Sequence, residues 1–196
     1  MVRIAILVFD GAEELDFVGP WEVLSFWARE VASEPVEVML VGPSTEPVVC
    51  AKGLRVLPDR TLEGIGALDV LLVPGGSGTR ALLTLGDPLH VALRSHAEAG
   101  ALITSVCTGS LVLAAAGLLR NRPATTYWSC FAELLALDET VEPRRDDRFV
   151  DDGDVVTAAG VSAGIDMALH LVRRIAGVEQ ARAVRRGIQY DPEPPV

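Results

Sequence analysis

With 196 residues, 49% of them apolar, the chain is long enough to bury one substantial core and too short for two ordinary domains. Its formal net charge of −10 excludes a basic face for nucleic acid or an anionic membrane, because phosphates would meet repulsion. No apolar run reaches the length of a membrane span, and the amino terminus turns acidic where a signal peptide would need its cleavage site, so one cytoplasmic domain over 1–196 is expected. Three cysteines, Cys50, Cys107 and Cys130, form neither a disulfide framework nor a Cys-x-x-Cys pair, and the three histidines lack metal-ligand spacing. Reduced thiols and no metal are the expectation.

In chain order, "VRIAILVFDG" is a short continuous apolar run that stops at Asp-Gly, the pattern of a strand buried on both faces. In "DFVGPWEVLSFWAREVA", Val18, Trp21, Leu24 and Val31 fall at helical spacing with Asp16 near the start, which predicts a helix that tolerates Pro20 in its first turn. "VEVMLVG" reads as a second buried strand and "VVCAKGLRVLPD" as a small hairpin around its glycine. "ALDVLLVPGG" is a third core strand. "DPLHVALRSHAEAG" is a helix with Asp87 as cap, Pro88 at the first position and Gly100 as the stop.

"ALITSV" is a fourth strand and leads directly to Cys107, after which "SLVLAAAGLL" reads as a buried helix. "ATTYW" is expected as a short strand, "SCFAELLAL" as a helix capped by Ser129, and "RFVDDGDVVTAAG" as paired strands around Asp152-Gly153. "SAGIDMALHLVRRIAG" and "VEQARAVRRGI" are helices, and "YDPEPPV" is a proline-rich tail expected along the surface. Alternating strands and helices with uniformly apolar strands predict an α/β fold, a three-layer sandwich around a doubly wound, mostly parallel sheet.

In such sheets the site lies beyond the carboxyl ends of the strands, where "DGAEELD", "PGGSG" and "CTGS" would converge. A cysteine at a strand-to-helix turn faces free N–H groups and the positive end of a helix dipole, which favour its thiolate; the expectation is a lowered pKa on a tight, strained turn. Asp16 is its expected partner, and since a carboxylate beside a thiolate repels it, one of the two must hold a proton. Gly75 and Gly76 offer backbone N–H groups to developing negative charge. The same residues admit blander readings: a packed thiol at 107, a helix cap at 16, an ordinary turn at 75 and 76. Cys50 and Cys130 are expected to pack, and Glu13 and Glu14 to be surface charges.

"GAEELDFVGPWEVL", "LLVPGG", "SVCTGSLVLAAAGLL", "ATTYW" and "AAGVSAGIDMAL" together resemble the ThiJ/PfpI superfamily, with its class I glutamine amidotransferase-like, flavodoxin-like fold; the segments around Asp16 and Cys107 look most like its isocyanide (isonitrile) hydratase branch. The resemblance implies a homodimeric lyase without cofactor that hydrates a small-molecule isocyanide to an N-formamide. Cys107 would be the nucleophile, Asp16 the proton donor and then base, Thr108 a site-lining residue, and the amides of Gly76 and Thr108 the anion-stabilising pocket. An isocyanide is small and apolar, so Val18, Trp21, Tyr127, Trp128 and Val161 are candidate walls beside Gly75. Two positions depart from the superfamily patterns: Thr108 stands where protease-like members carry histidine, and Tyr127 where the hydratase pattern has Thr-His-Trp. A redox-sensing cysteine, a ligand-sensing domain, or an enzyme acting on a glyoxal or amide are the alternatives.

Overall fold

The computed structural model describes residues 1–84 and 87–192. The first strand, β1 (Val2–Leu7), is buried over its last four residues. Helix α1 (Glu14–Phe26) follows and runs into one π turn at Trp27–Val31. Because α1 starts at Glu14, Pro20 lies inside the helix rather than in its first turn. A proline there cannot donate to the carbonyl four residues back, which is that of Asp16, so the ladder opens beside the candidate site. The buried side of α1 is Asp16, Phe17, Gly19, Pro20, Val23, Leu24 and Ser25; of the expected stripe Leu24 is buried and Trp21 and Val31 pack against the core, while Val18 faces outward.

Strand β2 (Val36–Gly42) pairs in parallel with β1, Val2 opposite Val36. The hairpin β3 (Val48–Val49) and β4 (Arg55–Val56) stands outside the main sheet, and β5 (Arg60–Thr61) adds to the edge of β2. Then β6 (Val70–Val73), buried at all four residues, leads through Pro74-Gly75-Gly76 into a 3₁₀ segment, Ser77–Leu83. Helix α2 (Pro88–Glu98) is capped as expected, the Asp87 carboxylate accepting from the Leu89 N–H at 2.8 Å. Strand β7 (Leu102–Val106) precedes Cys107, and α3 (Gly109–Ala115) has six of its seven residues buried.

Strand β8 (Pro123–Ala124) is shorter than expected and pairs with β9 (Glu142–Pro143). It ends because Thr125 and Thr126 are engaged elsewhere: the Thr125 N–H donates to Thr157 Oγ1 at 2.9 Å, and Thr126 Oγ1 donates to the Cys107 carbonyl at 3.1 Å. Helix α4 (Phe131–Leu137) has Cys130, not Ser129, at its cap position and no side-chain cap. The hairpin β10 (Phe149–Asp151) and β11 (Val155–Ala158) and helices α5 (Ala163–Ala176) and α6 (Val178–Gly187) complete the described chain. From Glu193 onward the expected surface tail lies outside the described residues.

The main sheet has seven strands in the order β10-β11-β7-β6-β1-β2-β5, parallel except for β10. Helices α1, α5 and α6 pack together, as do α2, α3 and α4. Among the described residues no helix is long and apolar enough to cross a membrane. The chain winds outward from β1 to β2 and then continues from β6 on the other side, so the loops after β1 and β6 straddle the reversal point where open sheets place their crevice.

Those two loops lie backbone on backbone. Ala12 bridges Gly76, the Glu13 N–H donates to the Gly75 carbonyl at 2.9 Å, and the Gly78 N–H donates to the Gly11 carbonyl at 3.1 Å. A Cβ on Gly76, whose φ is +123°, would fall on the carbonyl oxygen of Gly11 and the backbone of Ala12 and Glu13. We therefore expect Gly76→Ala to lose more than about 3 kcal/mol of stability, through strain and rigid overlap together, as read from urea melts; a loss under 1 kcal/mol, about what an ordinary glycine turn costs, would contradict this packing.

Candidate active site

Cys107 occupies the turn between β7 and α3 with φ +57°, a left-handed conformation costly for a residue with a Cβ. Its neighbours over-determine it. Its N–H is shared between the carbonyls of Ala158 and Ala159 at 3.0 and 2.9 Å, and its carbonyl accepts from the hydroxyls of Ser110 and Thr126, both at 3.1 Å. Val161, after β11, is a second strained residue at φ +49°, all the rarer for being β-branched. The backbone amides of Thr108 and Val161, with the Thr108 hydroxyl, favour the anion of the Cys107 sulfur.

Asp16 completes the group. It is fully buried; Oδ2 accepts from the Gly75 N–H at 2.8 Å, and its carboxyl interacts with the Cys107 thiol, while Oδ1 has no well-directed partner. Gly75 is required by this approach, since a Cβ there would come within 2.6 Å of the Thr108 nitrogen and 2.8 Å of Asp16 Oδ2. Glu13, not Asp16, holds the cap position of α1.

Burial raises the pKa of Asp16 from its ordinary 3.8 to about 7, partly opposed by the Gly75 hydrogen bond. Burial first, and the charge of Asp16 second, push the Cys107 thiol up to about 12 against the two amides that favour its anion. This corrects the expectation of a thiolate stabilised by the helix terminus: α3 is only seven residues long, and desolvation outweighs its amides. Near neutrality the pair holds one or two protons, with the thiol protonated.

The amides also differ from expectation. Gly76 N–H is already committed to Thr108 Oγ1 at 3.0 Å, and Gly75 N–H to Asp16, so the free donors at the sulfur belong to Thr108 and Val161. Sequence reasoning placed Val161 only as a wall. Its amide had no local signal, because it depends on the strained turn.

A cavity of about 400 Å³ opens on Cys107 and Thr108. Of the expected walls, Tyr127 and Val161 line it; Gly75 does not, its neighbour Gly76 standing on the lining instead, Val18 and Trp128 are exposed, at 37% and 75%, and Trp21 packs against the core. Tyr127 lies against Gly160, where a Cβ would come within 2.5 Å of the ring. The remaining lining is polar: Glu13, Lys52, Arg80 and Cys130. Cys130 thus reaches the site instead of merely packing, with its sulfur 3.5 Å from Arg80 Nη2. A cation one 3₁₀ turn past Pro-Gly-Gly was the available signal for Arg80; nothing in the sequence marked Lys52, which the β3–β4 hairpin brings in from a distance. That hairpin is docked on the acidic first loop, with the Val49 N–H on Asp10 and the Lys52 N–H on Glu14, at 2.8 and 2.7 Å, so Glu14 is no free surface charge. Among the described residues no three metal-ligating side chains cluster.

A strained cysteine elbow at the crevice of a doubly wound, mostly parallel sheet, beside a buried acid, defines the class of α/β sandwich to which this fold and site belong. Residues 2–174 match the DJ-1/PfpI family, and the chain belongs to that family. It is 40% identical to isonitrile hydratase of Pseudomonas putida, over 99% of this chain and 81% of that protein. A ThiJ/PfpI family protein from Pseudomonas syringae superposes with a TM-score of 0.89 at 33% identity, covering 100% of this chain and 77% of that one. DJ-1beta of Drosophila melanogaster superposes at 0.86 with 26% identity, covering 97% and 98%.

The Asp16 shift has a testable sign. Between about pH 4 and 7 the native state holds a proton that the unfolded state has lost, so stability falls as pH rises through that window and stays lowered above it, by up to about 4 kcal/mol. Asp16→Asn keeps an acceptor for the Gly75 N–H without the charge. It is expected to melt several degrees above the parent at pH 8 and close to it at pH 4; equal melting temperatures at both pH values would contradict the raised pKa.

Proposed function

We propose that this protein hydrates an organic isocyanide to an N-formamide without a cofactor. The observation that carries the reading is the contact between a buried carboxyl titrating near neutrality and a thiol on a strained elbow, which supplies one nucleophile and one proton carrier. The 40% identity to an isonitrile hydratase over nearly the whole chain supports the choice of electrophile.

In the first step the Cys107 sulfur bonds to the terminal isocyanide carbon while ionised Asp16 takes the thiol proton and hands it to that carbon, giving the thioimidate R–N=CH–S–Cys107. Asp16 therefore acts first as base, which inverts the order expected from a preformed thiolate. Water then adds across C=N, its hydroxyl to carbon and its proton to nitrogen, with Asp16 relaying the proton. Collapse of this adduct forms the formyl C=O and breaks the C–S bond, and the hydroxyl proton returns to sulfur through Asp16. One water is consumed, and thiol and carboxylate are restored. The amides of Thr108 and Val161 stabilise the sulfur anion as it forms and as it leaves.

Formamide production from cyclohexyl isocyanide tests the proposal, and no turnover with a panel of alkyl and aryl isocyanides would reject it. Cys107→Ser is expected to lower kcat at least about a thousandfold and Asp16→Asn about a hundredfold. In the parent protein kcat/KM should rise with pH through about 7, as Asp16 ionises to its base form. A profile flat between pH 5 and 9 would remove Asp16 from the proton-carrying role.

A further inference from the structure

An isocyanide group is two atoms, whereas the cavity over Cys107 is about 400 Å³, so the other walls must select a substituent. Tyr127 and Val161 form its apolar part, while Lys52 and Arg80 are cations on its lining, with Glu13 the acid among the lining side chains. Glu13 is ion-paired with Lys52. Arg80 is anchored from outside the cavity by Glu133, which accepts from Nε at 3.1 Å and from Nη2 at 2.9 Å.

That anchoring leaves Nη1 with two long, neutral contacts, to the Gly76 carbonyl at 3.4 Å and to Thr79 Oγ1 at 3.3 Å. A carboxylate reaching Nη1 would exchange them for a charge-assisted bond about twice as strong as a neutral one. The Arg80 side chain is 42% exposed, so an incoming group can reach it. The Arg80–Glu133 and Lys52–Glu13 pairs leave Nη1 as the part of the Arg80 guanidinium on the cavity lining that has no carboxylate partner.

We infer that Arg80 is a specificity-determining residue and that the electrophile taken up by Cys107 carries an anionic group, such as a carboxylate, at the end remote from the reacting carbon. This deepens the hydratase reading by naming the substituent, and rests on Cys107 being that site's nucleophile.

The test needs no isocyanide. Iodoacetate and iodoacetamide are nearly equal in size and differ by one charge; with either, the Cys107 sulfur forms a C–S bond, iodide leaves with the C–I electrons, and the thiol proton goes to Asp16 or solvent. The ratio of their rates at Cys107, followed by peptide mass, cancels any general change in access to the thiol. Arg80→Gln is expected to lower the iodoacetate-to-iodoacetamide ratio about tenfold, the loss of one charged hydrogen bond, whereas Arg80→Lys keeps most of it. An unchanged ratio in Arg80→Gln, or equal losses in the two variants, overturns the inference. In parallel, isocyanoacetate should be hydrated with a higher kcat/KM than its ethyl ester; hydration of neither, alongside the predicted alkylation ratios, would sink the hydratase reading and leave the anion preference standing.

Discussion

Burial of one acid against one thiol governs the site. Desolvation penalises the charged form of each group; the charge of Asp16 adds to the penalty on the thiolate, whereas the thiol, by hydrogen bonding, favours the Asp16 carboxylate and the charge of Glu13 opposes it. The pair therefore tolerates one negative charge and resists two. Burial brings Asp16 to about 7, the middle of the working pH range, which suits the proton-carrying role proposed for it.

The backbone, more than side chains, holds this pair. Asp16 is fixed through the Gly75 amide, Gly75 is fixed because the β1 and β6 loops are laced together, and the lacing needs residues without a Cβ. Cys107 is held in its left-handed turn by two carbonyls at its N–H and two hydroxyls at its own carbonyl. A strained residue of this kind costs about 1–3 kcal/mol and persists only where its surroundings leave no alternative. Ser110 and Thr126 supply that constraint without touching the sulfur.

How much of this could be read beforehand follows from how local each cause is. Core strands of a parallel sheet are continuous apolar runs, so β1, β2, β6 and β7 were legible, as was the α2 cap, which depends on Asp87 and Pro88 alone. The position of Cys107 at an elbow was legible from the change of period around it. What escaped depended on distant partners. Thr125 and Thr126 look like strand residues but bond to Thr157 and Cys107, the Gly76 amide looks free but is taken by Thr108, and Lys52 reaches the cavity only because its hairpin docks on the first loop. The thiol's pKa was misjudged for the same reason: a helix terminus is visible in sequence, whereas desolvation is a property of the folded surroundings.

Tyr127 shows how a departure from a familiar pattern can be absorbed. Its ring lies where a Cβ on residue 160 would stand, so the aromatic side chain and Gly160 are a matched pair, and neither can be exchanged without moving the other. Replacing an imidazole by a phenol there removes a second group able to trade protons near neutrality and leaves a wall. In the proposed reaction the protons are carried by Asp16, whose Oδ1 is buried without a hydrogen-bond partner. An orphaned oxygen of that kind is costly in a finished protein, and the proposed reaction gives it a partner in the proton that leaves Cys107.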